Sequence, residues 1–198
     1  MGKKAREISE SDENVKAEDF LSSLSFFLDL KNEYPIDFEL HLLWTPDGNR
    51  TYGQGVGRYS LVEVSPDENI ARTMEKYICE MFYCLCDEIL PADKIKITNQ
   101  FFKDGLIEGP LAYNLFYESL AAAAVPGLFF KRVFPEYFDP HKSWNGDPNI
   151  DAYGKALFPL LEEYVQSGET IKNGFVLRAV EQYKSIAYLS KIPRRKES

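Results

Sequence analysis

The chain has 198 residues, 44% hydrophobic and 27% charged, with 14 Phe, 12 Tyr and a net charge of −8, enough for one globular core and too acidic to favour duplex nucleic acid. The first sixteen residues hold four basic and four acidic groups and the last eight hold four basic and one acidic, so the body between them carries −11, which suits a basic protein partner. No stretch approaches the ~20 apolar residues that cross a bilayer. The polar start lacks an apolar signal core, and three clustered cysteines suit a reducing compartment, so a cytoplasmic location is expected.

Residues 1–16 read as a disordered lead to one domain over 17–192, with a basic tail over 193–198. From Glu18 onward, Phe20, Leu21, Leu24, Phe27, Leu28 and Lys31 recur at helical spacing, and Tyr34-Pro35 ends the pattern. Residues 36–64 predict a β-hairpin around Thr45-Pro46-Asp47-Gly48-Asn49, where Pro presets φ and Gly accepts the left-handed position. Phe38, Leu40, Leu42 and Trp44 alternate before that turn. Tyr52, Gln54, Val56 and Arg58 follow it, with Gly53, Gly55 and Gly57 at the opposite parity. Pairing Thr45 with Asn49 sets His41 opposite Gly53 and Glu39 opposite Gly55. The change of apolar parity from Tyr59 and Leu61 to Val62 and Val64 predicts a bulge near residues 60–62.

Ser65-Pro66-Asp67-Glu68 supplies a cap, a first-turn Pro and a capping-box Glu for a central helix. Ile70, Met74, Tyr77, Ile78, Met81, Phe82, Leu85 and Ile89 form its apolar stripe, closed by Pro91. Residues 94–102 alternate through Ile95, Ile97 and Asn99 and read as a third strand. Gly109-Pro110 opens a helix that Pro126-Gly127 stops, and its alanine run at 121–124 leaves room for another backbone. Residues 128–150 are aromatic and broken by Pro135, Pro140 and Pro148. Helices follow over 151–166, where Pro159 kinks or restarts the pattern, and over 175–190.

The expected fold is therefore α+β: a small antiparallel sheet of about three strands, including the hairpin, packed with four or five helices. The alternate glycines match neither a dinucleotide nor a Walker loop. They leave a shallow face for an internal helix or ring, or for an outside partner. Glu39 and His41 flank it in this register. They are candidate acid/base or ligand contacts with Arg58 as an anion contact, against the simpler reading of a solvated sheet surface. Cys79 and Cys86 stand seven residues apart on one helix, about 10 Å, too far to clamp a zinc ion; core packing explains them. Asp147-Pro148-Asn149-Ile150-Asp151 starts like a calcium loop, but Ala152 and Phe158 occupy the Gly and Glu positions, so a helix cap is the better reading. His141 and Trp144 lie in a polar, aromatic loop of the kind that lines binding surfaces. No metal or cofactor is expected. The reading these features favour is a non-enzymatic binding protein, such as an inhibitor, immunity-type or adaptor protein, with an acidic, aromatic-rich surface. The alternative is a small enzyme using Glu39, His41 and Arg58 on the glycine face.

Overall fold

The computed structural model describes residues 12–30, 39–44, 53–56, 59–65, 69–103, 105 and 107–191. About 75% of them are helical, more than twice the usual share, so the sheet is a minor element beside a helical body. None of the described helices is long and apolar enough to cross a membrane.

Helix α1, Asp12–Phe27, begins inside the charged lead and buries Ala17, Phe20, Leu21, Leu24, Phe27 and the following Leu28. It ends before the expected Pro stop, which lies outside the described residues. The Asp29 N–H bonds the Phe26 carbonyl (2.9 Å) and the Leu30 N–H the Ser25 carbonyl (3.1 Å), with Asp29 at φ 56°. This is the paired C-terminal closure usually built on glycine.

The sheet overturns the expected antiparallel architecture. Strands β1 (Glu39–Trp44), β2 (Gly53–Val56) and β3 (Tyr59–Val64) lie in the order β1-β3-β2. Only β2 and β3 pair antiparallel, Val56 opposite Tyr59, and β1 runs parallel to β3, Glu39 opposite Tyr59. β3 therefore sits where the hairpin would have paired β1 with β2. The turn proposed at 45–49 lies outside the described residues, and only residues 57 and 58 separate β2 from β3. No bulge interrupts β3, which keeps six consecutive partners on β1. Its parity shift arises because Ser60 takes a fully buried position in line with Val62 and Val64.

The expected third strand is helix α3, Pro91–Phe101. Pro91 at the first helical position presets φ, and the four-residue spacing of buried Asp93, Ile97 and Phe101 outweighs the short alternation. Ile95 is left 61% exposed. Helix α2, Ile70–Glu88, starts at an Asn69 cap whose Oδ1 accepts the Arg72 N–H at 2.9 Å, later than the expected capping box; residues 66–68 of that box lie outside the described set. One side of α2 lies on β2 and β3, and the other meets α1 and the helices that follow.

Helix α4, Glu108–Ala122, does not stop at Pro126-Gly127. It widens into a π-helical stretch, Ala123–Phe129, and closes with an α turn, Phe130–Val133. Pro126 has no N–H to donate and its ring crowds the carbonyl four residues back; the wider turn relieves both. Helix α5, Pro148–Ser167, carries Pro159 internally and ends at left-handed Gly168. Helix α6, Val176–Lys191, follows a turn at Asn173 and Gly174. With these the described residues hold six helices, beyond the expected four or five.

Gly154 lies against Ala122, Phe158 against Gly127 and Glu162 against Lys131. These pairs advance together, so α4 and α5 run side by side in one direction, and residues 134–147 bring the chain back. Helix α6 returns antiparallel, with Tyr153 edge-on to Tyr183 and donating its OH to the Ala179 carbonyl (3.1 Å), and Arg178 gripping Glu163 bidentately. Lys172, in the α5–α6 turn, bonds Asp29 after α1 and Asp93 of α3 (2.6 Å).

A Cβ on Gly154 would stand 2.9 Å from the Ala122 Cβ and 3.0 Å from the Ser119 carbonyl oxygen. Gly154→Val is expected to lower unfolding free energy by about 3 kcal/mol through overpacking. Gly154→Ala should lower it by about 1 kcal/mol, although alanine is the better helix former. Gly146→Ala, with open space around it, should stay within about 0.5 kcal/mol of wild type. Urea unfolding of the three variants measures this.

Candidate functional site

The two faces of the sheet differ in chemistry. Ser60, Val62 and Val64 are buried on the face that α2 covers. Gly53, opposite Val62, shares that face, and a Cβ there would lie 3.0 Å from the Glu80 Cγ. At Gly53 the glycine parity thus makes room for α2.

The other face carries Glu39, His41 and Leu43 of β1, Tyr59, Leu61 and Glu63 of β3, and Gln54 of β2. Tyr59 is 55% exposed and Leu43 43%. The His41 Nε2 lies 3.5 Å from the Glu39 Oε2, both side chains more than half exposed, and its ring stands 6.0 Å from that of Tyr59. Because β3 separates the strands, His41 shares a row with Leu61 and Gln54 and faces away from Gly53. An ion pair so open to water is worth only about 0–1 kcal/mol. Arg58 lies outside the described residues.

His141 and Trp144 occupy a loop bound by its own polar groups. Asp139 accepts the His141 N–H on Oδ1 (2.8 Å) and the Trp144 indole N–H on its carbonyl (3.0 Å). The Trp144 backbone N–H donates to the Asp151 Oδ1 (2.6 Å), and Asp147 caps α5. The Trp144 ring packs edge-on to Phe158, at 5.5 Å between centroids, beneath the Lys155 ammonium. Gly127 leaves that space open: a Cβ there would meet Phe158 at 2.8 Å and Trp144 at 3.2 Å.

Between this loop and the start of α2 is a cleft of about 380 Å³, lined by Arg72, Glu75, Pro126, Phe130, Tyr137 and Trp144 among others. His141 is exposed outside it. Sequence reading picked out Trp144 but missed Arg72 and Tyr137, which come from distant segments. The signal available was Pro126-Gly127 inside an otherwise unbroken apolar run. The sheet face and this cleft are separate places, so the candidate residues form two groups.

The cysteines are free. Cys84 and Cys86 are buried, and burial together with Glu80 pushes the half-buried Cys79 thiol up to about 12, so it stays protonated at neutral pH. Among the described residues no three His, Cys, Asp or Glu side chains converge on a metal-sized site.

Burial alone would raise the Asp151 carboxyl, but the Trp144 N–H, Lys155 and the Asn145 N–H outweigh it and hold the group below its ordinary 3.8. A carboxylate depressed in the folded state stabilises above its unfolded pKa and stops doing so as pH falls through the folded value. Asp151→Asn should therefore unfold at lower urea than wild type at pH 7, with the gap closing below about pH 3.8. Urea midpoints against pH measure it; a gap unchanged down to pH 2 would remove Asp151 as the loop's anchor. No family model matches this chain, and no characterised protein or solved structure matches it.

Proposed function

We propose that the protein is a non-catalytic, cytoplasmic binding protein that docks a basic protein partner on the open face of its sheet, in an inhibitor, immunity-type or adaptor role. The observation that carries this reading is the composition of that face. Glu39 and Glu63 supply negative charge, Tyr59, Leu43 and Leu61 supply apolar contact, and no Lys or Arg stands on it among the described residues. Aromatic and aliphatic groups ringed by one sign of charge give contact area and steering together. The net charge of −8 extends the attraction beyond the face. Three strands of this length cover roughly 300 Å², well short of the ~800 Å² each partner gives to a standard interface, so the face is the centre of a larger contact. An acid/base site on the glycines is less favoured, because Gly53 lies under α2 and the Glu39–His41 pair is on the other, solvent-washed side.

The test is capture from the host lysate on the tagged full chain, at about 50 and about 300 mM salt. The wild type should retain one basic protein at low salt and release most of it at the higher salt. Tyr59→Ala should weaken that complex by about 2 kcal/mol, or thirtyfold in Kd, and Glu63→Lys should slow its formation. Both variants should keep the wild-type circular dichroism spectrum. Equal retention by both variants, or no basic partner at either salt, would overturn the reading.

A further inference from the structure

The cleft between α2 and the Trp144 loop sets charged side chains beside aromatic ones. Arg72 and Lys142 both line it, and neither side chain makes an ion pair among the described residues. Two carboxylates share the lining with them: Asp139, whose Oδ1 accepts the His141 N–H, and Glu75, which also has a partner. Two uncommitted cations thus border one cavity in a protein of net charge −8. The same wall is aromatic, with Tyr137 46% exposed, Trp144 half-buried and Phe130 buried.

The volume of about 380 Å³ falls at the small end of ligand cavities, room for one ring and one acidic group. The walls are set before any ligand arrives. Trp144 is held by its indole and backbone N–H groups, Pro126 stands in the π-helical stretch, and the Arg72 backbone is fixed in the Asn69 cap. What remains to be ordered on binding is the exposed Arg72 and Lys142 side chains.

We propose that this cleft binds a small aromatic anion, a single flat ring carrying a phosphate or carboxylate. The ring stacks in the aromatic wall between Tyr137 and Trp144. The acidic group meets the Arg72 guanidinium, whose fork matches either oxyanion, and the Lys142 ammonium. The site is independent of the open sheet face, and the two readings stand or fall separately.

Titration of the ¹⁵N-labelled full chain, followed through the Trp144 indole N–H resonance and assigned with Trp44→Phe, tests it with four probes: phenyl phosphate, benzoate, inorganic phosphate and phenol. At least one ring-bearing anion should give a saturable shift in the millimolar range, and inorganic phosphate and phenol should bind at least about tenfold more weakly. A preference for phenyl phosphate would identify a phosphate ligand, and one for benzoate a carboxylate. Arg72→Gln with Lys142→Gln should weaken binding at least about tenfold while leaving the unliganded spectrum in place, because the Arg72 backbone keeps its cap. Tyr137→Ala should weaken the ring-bearing probes and leave phosphate unchanged. No saturable shift with either ring-bearing anion, phosphate binding as tightly as phenyl phosphate, or a double variant that binds like wild type would overturn the proposal.

Discussion

Helices α4 and α5 meet where Gly154 faces Ala122, with only glycine's hydrogen between the α5 backbone and a carbonyl of α4. Past that contact the chain after Ala122 stays helical through Pro126 although proline opposes it. The widened π stretch is the local answer. One turn further along both helices Phe158 lies over Gly127, and Trp144 fills the remaining space. The position of the tryptophan, and with it the cleft against α2, follows from the spacing of two backbones one turn away. Helices running in the same direction also need a returning connection, which residues 134–147 supply.

Helix α2 has the complementary task. Its length is flanked by the sheet on one side and by α1, α4 and the π stretch on the other, so a sheet too small to stand alone is covered by a helix that the bundle holds in place. Covering one face leaves the other to solvent, and the residues there divide accordingly. Ser60, Val62 and Val64 point inward, and Tyr59, Leu61 and Glu63 outward. Exposed apolar groups on an otherwise polar strand are thereby a property of the uncovered face.

The helical stripes were legible because each repeats over many turns: α2, α6 and the buried positions of α1 follow the spacing of their apolar residues, and the alanine run at 121–124 marked the place where α5 comes close. The sheet was not. Alternation fixes which side of a strand is apolar, but it does not choose the neighbour, and here the nonlocal parallel partner of β1 displaced the local antiparallel one. In α3, Pro91 and the spacing of Asp93, Ile97 and Phe101 carried more weight than three alternating residues. For the cleft, Trp144 was visible as an aromatic in a polar loop. Arg72 and Tyr137 join it only through the fold, standing 65 positions apart in sequence.

Lys172 reaches back 143 residues to Asp29, and Phe27, beside it, packs on Phe175. During synthesis α1 leaves the ribosome long before these partners exist. At ordinary elongation rates that interval is on the order of ten seconds. Through it, Phe27 has no Phe175 to rest against. The early helix meets α2 first, then Phe129, and reaches Phe175 and Lys172 only near the end of synthesis, so its docking is completed in stages as the chain lengthens.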